Sequence, residues 1–597
     1  MDQRRRRRHG RKQSRRRRRR NLMLKMIFFI ILIVGIVAAL LLWRRYGPTK
    51  EQADLNEYYG IEDENQLAVI VNNEVLEPAA MISDGKVYVE YSLARDYINE
   101  RFYWDPNENT LLYVLPNDVV SVGVGSRDYS VSKEKNSEDY VILKAEGSTA
   151  YIALDFMKKY TDMDFEVYDD PGRVMVNTET GSVAVAKAKR ATQVRYQGGV
   201  KSPMLTEIER NESVRVIEDE GDWKKVRTED GFIGYVKKSA LKDETEETIS
   251  RGFEEPEYTS ISRDYTINMV WCNVTNYDAN SGLLEMIAQT KGLTTISPTW
   301  FHVADTKGNL ESIAGADYVN YAHQAGIEVW AAIRDFDGGI DSFEESYELL
   351  SRTSNRENLI NQLIAEALST GIDGINVDFE KISEECGEHY IQFIRELSVK
   401  CRQNGLVLSV DNYVPQAYNQ QYNRKEQGVF ADYVVIMGYD EHYSGSPEAG
   451  SVASYDFVEN GIVQTLEEVP AEKVISGIPF FTRVWQETPK TEAELASQAG
   501  TDAAEYPMNV ESTAYGMAEA QSVVAQAGAT PEWDDVTKQN YATWEFEGST
   551  FEVWLEDASS VQAKLQLMKD YGLAGTAAWR LGQETSDIWD VILQYVN

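Results

Sequence analysis

The chain has 597 residues and a formal net charge of −36. This length exceeds that of one ordinary domain, so several domains are expected. The charge is unevenly placed, because the first 45 residues hold 16 Lys and Arg with a single acid, Asp2, and the remainder is strongly acidic. An acidic body argues against nucleic-acid binding as its role, since that role needs a basic face.

The start of the chain predicts a membrane anchor. Residues 1–25 form a basic tail, and residues 26–43 are 18 positions without a charge, about the minimum for a membrane-spanning helix. The positive-inside rule places the arginines in the cytoplasm and the chain from Pro48 onward outside the cell. A cleaved signal peptide is the competing interpretation, but no small-residue cleavage site follows the apolar run. We expect an uncleaved anchor at the cell membrane, followed by a stalk at 44–65.

Residues 66–185 contain a repeat with an offset of 63 residues. Each copy predicts a strand, a short helix and a strand that ends in Asp/Pro turn residues. The matched aromatic pairs are Tyr88 with Tyr151, Tyr97 with Tyr160 and Phe102 with Phe165. The pattern resembles the copper amine oxidase N-terminal-like module of bacterial surface proteins. The segment holds no His or Cys, so we predict a spacer or wall-contact domain without copper.

A second small module is predicted at residues 186–242. Alternating strands, a tight turn at Asp230-Gly231 and a closing Gly-Tyr-Val favour a small five-stranded barrel. This stretch resembles a bacterial SH3 domain. Such modules often bind cell-wall peptide, so the resemblance implies wall targeting, and a plain spacer is the alternative. Residues 243–262 are acidic and poor in apolar positions, and we expect a linker there.

From residue 263 to 597, strand-like and helix-like segments alternate, which is the pattern of a (β/α)8 TIM barrel. The predicted strands span 265–274, 294–303, 328–335, 374–380, 407–414, 433–439, 474–480 and 575–581. About ninety residues separate the last two, too many for a simple crossover. We therefore predict a small α+β insertion at about 486–560, with a hairpin at 541–554.

The fourth predicted strand carries the candidate chemistry. Residues 373–380 read Asp-Gly-Ile-Asn-Val-Asp-Phe-Glu, and strand side chains alternate between faces. Asn376, Asp378 and Glu380 therefore share one face. Burying charge is costly, and two nearby carboxyls favour one protonated group beside an ionised partner. That is the pattern of glycoside hydrolysis; an acidic edge strand facing solvent is the alternative.

The octet resembles the D-G-x-D-x-D-x-E signature of family 18 glycoside hydrolases, the chitinase-like enzymes. Asn376 stands where most of the family carries Asp. The resemblance implies that Glu380 is the catalytic acid beside Asp378, and that Asn376 and Asp373 lie beneath Asp378 and tune it. Because Asn376 is neutral, we expect Asp378 to ionise more readily than it would beside a carboxylate at that position.

Two further motifs extend the resemblance. The run Met-Gly-Tyr-Asp at 437–440 is similar to the family's M-x-Y-D motif, which implies that Tyr439 reaches the reacting sugar. Met437 and Asp440 are its substrate-binding neighbours, although Asp440 is equally interpreted as a structural turn residue. Trp579 matches the tryptophan that forms the floor of the central sugar subsite. The candidates for outer subsites are Trp485 and Trp554, with core packing as an equal alternative.

The resemblance implies retaining, substrate-assisted catalysis. Glu380 protonates the glycosidic oxygen, the substrate's own 2-acetamido carbonyl attacks the anomeric carbon, and Asp378 and Tyr439 hold the acetamido group. This chemistry demands an N-acetylated amino sugar, in chitin-like oligomers or in peptidoglycan. The segment 437–454 is most similar to the spore-germination and cortex-lytic N-acetylglucosaminidase branch, and the anchor and SH3 module favour peptidoglycan.

Other classes stay open at this stage: a chitinase acting on chitin oligomers, a lectin-like wall protein that binds glycan without cleaving it, and a wall-anchoring scaffold with a vestigial barrel. Retention of the acid and its neighbour favours a hydrolase. No cofactor is expected, since the five histidines show no metal-ligand spacing and the three cysteines form no disulfide framework. The bond cleaved, endo or exo action and the oligomeric state are not determined by the sequence.

Overall fold

The structure is a computed structural model and describes residues 3–63, 66–498, 500–501 and 505–596. The chain divides into two compact units. The first comprises Met1–Glu100 and Tyr140–Glu255, and the second comprises Arg101–Asp139 and Pro256–Asn597. The predicted repeat domain at 66–185 is therefore shared between the two units.

The first unit begins with the helix Gln3–Tyr46. Within the described residues, its part Arg20–Tyr46 is the one stretch long and apolar enough to cross a membrane. A short helix, Leu55–Tyr59, follows in the predicted stalk, and the Asp54 side chain caps it by accepting from two backbone N–H groups.

The repeat region of the first unit forms one seven-stranded sheet. The first four strands in chain order are Leu67–Val71, Glu74–Ser83, Lys86–Glu90 and Leu143–Glu146. The other three are Thr149–Ala153, Asp164–Tyr168 and Arg173–Asn177. Short helical segments at Tyr91–Leu93, Ala94–Ile98 and Leu154–Met157 follow the matching strands of the two copies.

The hairpins that end the two copies belong to different units. The hairpin of the second copy, Asp164–Tyr168 with Arg173–Asn177, stays in the sheet of the first unit. The hairpin of the first copy, Phe102–Asp105 with Thr110–Val114, belongs to the second unit. There it is extended by Val119–Gly123, Asp128–Val131 and Glu134–Ser137 into a five-stranded antiparallel sheet. We call residues 101–139 the barrel-docked segment.

The predicted SH3 module is a seven-stranded sheet rather than a five-stranded one. Its strands are Gly181–Ala188, Thr192–Arg195, Met204–Ile208, Ser213–Glu220, Trp223–Arg227, Ile233–Lys237 and Leu241–Ile249. The two additional strands are the first and the last, which pair with each other. Residues 243–249 of the predicted linker are thus strand, and their acidic side chains face solvent while the backbone groups are paired. Gly231 lies in the predicted turn with φ of +86°.

The second unit contains a closed barrel of eight parallel strands, as the sequence predicts. The strands are β1 (Ile267–Cys272), β2 (Thr295–Pro298), β3 (Glu328–Arg334), β4 (Gly374–Asp378), β5 (Val407–Tyr413), β6 (Tyr433–Met437), β7 (Val474–Pro479) and β8 (Gly575–Trp579). Each strand pairs with the next, and β8 pairs with β1 to close the barrel. A short hairpin, Phe301–Val303 with Leu310–Ser312, extends from β2.

Helices surround the barrel and bury the outward faces of its strands. Ile375, Val377 and Phe379 belong to one hydrophobic core with residues of these helices, and the Phe379 ring stacks on Phe393 at 5.4 Å. The helices are Leu283–Ile287, Ala316–Gln324, Phe343–Leu350, Thr353–Thr370, Gly387–Asn404, Arg424–Phe430, Tyr455–Leu466, Ala558–Asp570 and Ile588–Ile592. Alternation therefore sends the even-numbered polar residues of β4 into the barrel.

The predicted insertion lies between β7 and β8. Its antiparallel strands are Phe481–Pro489, Met508–Gly516, Glu532–Asp534, Gln539–Phe546 and Ser549–Leu555. The helices Glu492–Ser497 and Met517–Ala527 accompany them. The hairpin predicted at 541–554 is formed by the last two strands.

The barrel-docked segment contacts the helices outside β3 and β4. Buried Asp105 accepts hydrogen bonds at 2.7 Å from both the backbone N–H and the hydroxyl of Thr353, where the helix Thr353–Thr370 begins. The hydroxyl of Tyr103 accepts from Arg356 at 3.0 Å and pairs with His389 Nδ1 at 2.7 Å. These contacts make the segment part of the packing of the second unit.

Candidate active site

A cavity of about 300 Å³ opens at the C-terminal ends of the barrel strands, where TIM-barrel active sites lie. It is lined by Trp271, Asn273, Arg334, Phe336, Asp337, Asp378, Glu380, Asp411, Tyr413, Met437, Tyr439, Asp440 and Trp579. Among the described residues, no cluster of three or more His, Cys, Asp or Glu side chains is arranged to hold a metal ion.

Glu380 follows directly after β4 and is half-buried at the cavity. The hydroxyl of Tyr413 donates to Glu380 Oε2 at 2.6 Å. Burial raises the pKa of Glu380, the Tyr413 hydrogen bond opposes that rise, and the nearby Asp440 carboxyl adds to it. A carboxyl that keeps its proton toward neutral pH and faces a cavity is suited to act as a general acid.

The backbone at Glu380 is held by a buried carboxyl. Asp335, at the end of β3, accepts from the backbone N–H of Glu380 at 2.7 Å and of Lys381 at 2.9 Å. Ser346 donates to the same carboxyl at 3.0 Å. Burial raises the pKa of Asp335 to about 6, against the lowering effect of these hydrogen bonds. Asp335 therefore fixes the direction in which the Glu380 side chain leaves the strand.

Asn376 is fully hydrogen-bonded at the barrel centre. Its Oδ1 accepts from Trp271 Nε1 at 3.0 Å and from Ser297 at 3.1 Å, and its amide donates to Ser409 at 3.0 Å and to Asp411 Oδ1 at 2.8 Å. An indole N–H only donates, so the amide oxygen must face Trp271 and the amide nitrogen must face Asp411. The geometry accounts for an amide rather than a carboxylate at this position.

Asp378 lies above Asn376 on β4 and is buried. Its pKa is raised well above the ordinary value, first by burial and then by the neighbouring Glu380 and Asp411 carboxyls, while Arg334 acts in the opposite direction. The expectation that Asp378 ionises more readily beside Asn376 than beside a carboxylate at that position stays a prediction. Position 376 carries no carboxyl, but Asp411 on the neighbouring strand β5 provides one near Asp378.

Tyr439 follows β6 and lies between aromatic rings. Its ring meets Trp271 edge-to-face at 6.4 Å and Phe481 at 6.1 Å. Burial, Asp378 and Asp411 raise its pKa well above the ordinary value, so the hydroxyl stays protonated. Within the described part of the chain this hydroxyl has no protein partner, which leaves it available to a ligand. Asp440 follows at the rim with φ of +59°.

Two tryptophans form an aromatic wall of the cavity. Trp579, at the end of β8, lies 6.1 Å from Trp271 of β1 between ring centroids, and the peptide bond from Trp579 to Arg580 is cis. Trp271 is 1% exposed, whereas Trp579 is partly exposed. Trp579 thus offers a ring face at the cavity, as its position in the sequence predicts for a sugar subsite.

Three sequence candidates do not reach the cavity. Asp373 lies at the opposite, N-terminal end of β4, about 16 Å from Asp378 along the strand, and accepts from His323 Nε2 and the Val329 N–H at 2.8 Å each. The Trp485 ring is buried and donates to the Gly450 carbonyl at 2.8 Å. Trp554 packs on Tyr541 at 4.9 Å in the insertion. Asp373 is too distant to tune Asp378, and neither tryptophan lines the cavity.

The structure also adds residues that the motifs did not indicate. Asp411 and Tyr413 lie on the predicted fifth strand, where Ser409 and Asp411 alternate with the apolar Leu408 and Val410, and the polar Asn412 precedes Tyr413. That period-two pattern of polar side chains in a buried strand is the same signal that marks β4. Arg334, which lines the cavity from β3, pairs in register with Asp378 and had no motif to mark it.

Comparisons with known proteins find two family matches and several relatives. Residues 269–584 match the model of glycosyl hydrolases family 18, and residues 190–242 match the bacterial SH3 domain. YdhD of Bacillus subtilis (strain 168), named as a sporulation-specific glycosylase, is 25% identical over 291 residues, 48% of this chain and 65% of that protein. The cortical fragment-lytic enzyme of the same organism is 27% identical over 256 residues, 42% of this chain and 56% of that enzyme.

A solved structure, the spore cortex-lytic enzyme SleL of Bacillus cereus, matches with a TM-score of 0.48 and 19% identity, over 65% of this chain and 89% of that one. The chain spans less than two thirds of the length of the two curated relatives. A TIM barrel with a buried acid and paired carboxyls at its C-terminal face is the architecture of a glycosidase. With more than half of its length matched by the family model, the chain belongs to glycosyl hydrolase family 18.

Proposed function

We propose that the protein is a membrane-anchored glycosidase of the bacterial cell surface that hydrolyses β-linked N-acetylglucosamine-containing glycans, peptidoglycan in particular. The observation that carries the proposal is the arrangement around Glu380. Its carboxyl has a raised pKa, receives the Tyr413 hydroxyl at 2.6 Å, and shares one cavity with Asp378, Tyr439 and Trp579.

The state of Asp378 favours a nucleophile that comes from the substrate. A carboxyl whose pKa is raised well above its ordinary value, and which is buried below the cavity surface, is a poor nucleophile. Its position suits a hydrogen bond to a substrate group instead. In substrate-assisted catalysis the 2-acetamido carbonyl attacks the anomeric carbon, and a carboxyl is then needed only to hold the acetamido N–H.

The proposed sequence of steps assigns one task to each group. Glu380 gives its proton to the glycosidic oxygen as the acetamido oxygen closes an oxazolinium ring on the anomeric carbon. Asp378 accepts the acetamido N–H, and the Tyr439 hydroxyl donates to the acetamido oxygen. The ionised Glu380 then takes a proton from water, which opens the ring with overall retention of configuration.

The domain composition supports peptidoglycan as the glycan. The SH3 module and the apolar N-terminal helix suit a protein held at the surface beside the cell wall. The curated relatives are named for sporulation and for lysis of cortical fragments. In the proposed topology the arginine-rich tail is cytoplasmic and the barrel is outside, which protease treatment of intact cells tests by releasing the barrel while sparing the tail.

The central experiment uses the full chain in detergent on purified peptidoglycan, with mass spectrometry of the released fragments. The parent should release fragments with reducing-end N-acetylglucosamine. Glu380→Gln should lower the rate by about 10²- to 10⁴-fold, the range for loss of a general acid. Glu385→Gln makes the same chemical change at an exposed residue nearby and should retain parental activity. Bound glycan without any released fragments from the parent would contradict the hydrolase and support a lectin.

A further inference from the structure

Two buried carboxyls lie side by side on neighbouring strands. β4 and β5 are parallel, with Asn376 opposite Ser409 and Val377 opposite Val410. The next pair in this register is Asp378 and Asp411, on strands about 4.8 Å apart. Both side chains point into the barrel and line the cavity, and they are 6% and 2% exposed.

Each of these carboxyls has one buried oxygen without a hydrogen-bond partner among the described residues. These atoms are Asp378 Oδ1 and Asp411 Oδ2. The other oxygen of Asp411 is occupied by the Asn376 amide, whose orientation is fixed by Trp271. A buried acceptor without a donor is costly, and two adjacent carboxylates cannot both ionise in a buried site. One proton held between the two free oxygens removes both costs.

The other charged groups nearby do not remove the need for this proton. Glu380 and Asp335 are acidic and face Asp378, while Glu380 also faces Asp411. Arg334 is the single cation acting on Asp378 in this set, and its guanidinium also contacts Asp337 and His302. The tyrosines 390 and 439 stay protonated beside the pair. Burial raises the pKa of Asp411 to about 8, against the lowering effect of the Asn376 amide and the Trp271 indole.

We infer that Asp411 is the proton partner of Asp378, a positioning residue that accepts the proton of Asp378 when the substrate's acetamido N–H arrives. This inference rests on the proposed function. The Asp378 O–H bond breaks, an O–H bond forms on Asp411, and Asp378 becomes the carboxylate that faces the acetamido group. The charge of the pair stays constant, so the step needs no exchange with solvent.

Comparing Asp411→Asn, which keeps the shape of the side chain, with Asp411→Ala distinguishes a proton-accepting role of Asp411 from a purely structural one. In Asp411→Asn the amide oxygen would still accept from Asn376, so the amide nitrogen would take the place of the free oxygen and donate to Asp378. This variant mimics the protonated partner, and kcat should fall by no more than about tenfold. Asp411→Ala provides no donor, and kcat should fall by about a hundredfold or more, the effect of losing one placed donor, with KM changed less.

The proton itself is measured by infrared spectroscopy at neutral pH on the full chain in detergent, in the Glu380→Gln background so that Glu380 gives no signal. The difference spectrum between that parent and its Asp411→Asn variant should show the loss of a protonated-carboxyl band; other buried carboxyls with raised pKa values, such as Asp335 and Glu556, cancel in the difference. A difference spectrum without that loss would overturn the inference, as would equal kcat for the Asn and Ala variants with matched thermal unfolding. If Asp411→Ala does not fold, the infrared comparison still decides. If the parent cleaves no glycan at all, the proposed function is contradicted. The infrared comparison would still test whether Asp378 and Asp411 share a proton.

Discussion

The Tyr413 hydroxyl donates to Glu380 Oε2 over 2.6 Å, from a strand neighbouring the one that carries the acid. This hydrogen bond stabilises the charged carboxylate and lowers the pKa of Glu380, while burial raises it. The balance lets one residue act first as an acid and then as a base. Glu380 is therefore tuned by a residue outside the signature octet.

The first prediction concerns Tyr413→Phe. Removing the donor lets the pKa of Glu380 rise further, so the acid stays protonated to higher pH and the alkaline limb of kcat/KM should move to higher pH. The maximal rate should fall roughly tenfold, because a charge-assisted hydrogen bond is lost. Tyr418→Phe, at a tyrosine that is 79% exposed, is the matched control. An alkaline limb that stays in place would contradict the assignment.

The second prediction compares two aspartates that flank the signature strand in different ways. Asp335→Asn turns an N–H group toward a backbone donor behind Glu380, and should reduce kcat by roughly tenfold or more. Asp373→Asn disturbs only contacts at the far end of β4, so kcat should stay within about twofold of the parent even where stability falls. Steady-state kinetics on chitin oligosaccharides distinguishes them. Comparable losses of kcat in both variants would show that Asp373 does act on the site.

The third prediction tests the barrel-docked segment. Asp105→Ala removes the carboxylate that caps the helix Thr353–Thr370, and should destabilise the catalytic unit by about 1–3 kcal/mol. Asp128→Ala, at an exposed position in the same segment, should change stability by less than about 0.5 kcal/mol. Urea unfolding of the full chain, monitored through the loss of activity, measures the stability change in both variants. Equal midpoints for the two variants would show that the segment does not support the barrel.

The barrel could be predicted from the sequence because the residue pattern of each strand is recognisable locally. The predicted strands are short segments rich in apolar residues, and all eight are present in the structure. The signature octet also identified Glu380 and Asp378 in advance. Local pattern does not encode inter-strand register, however, and the placement of Asp411 beside Asp378 depends on how β4 and β5 align. That placement could not be derived from the octet alone.

The division of the repeat was not predictable for a related reason. The two copies have the same pattern of strands and aromatics, so nothing in either hairpin indicates which partner it packs against. Tertiary contacts such as Tyr103 with Arg356 decide this, and they join residues more than 250 positions apart. The buried Trp485 shows the same limit, since its residue type fits a sugar subsite and the core equally well.

The fourth prediction concerns acid stability. The His389 ring packs against Tyr103 of the barrel-docked segment, and burial lowers the pKa of His389 to about 4. The unfolded chain binds a proton at this residue below about pH 6.5 and the folded chain does not, so the stabilisation is present above pH 6.5 and is lost as pH falls toward 4. His389→Gln should flatten the loss of unfolding temperature between pH 6.5 and 4 relative to the parent. If the unfolding temperature of the variant falls as steeply with pH as that of the parent, a group other than His389 causes the acid sensitivity.

The last prediction tests whether the substrate supplies the nucleophile. Chitotetraose and cellotetraose have the same backbone, but only the former carries the 2-acetamido group. Asp378 is buried with a raised pKa, and in the proposed mechanism it becomes ionised only when the acetamido N–H arrives, so it does not replace that group on cellotetraose. Cellotetraose should be cleaved at least about a thousandfold more slowly, because an intramolecular nucleophile is lost. The initial product from chitotetraose should be the β-anomer by NMR. Comparable rates on both sugars, or an initial α-anomer, would assign the attack to an enzyme carboxylate or to water and contradict the mechanism.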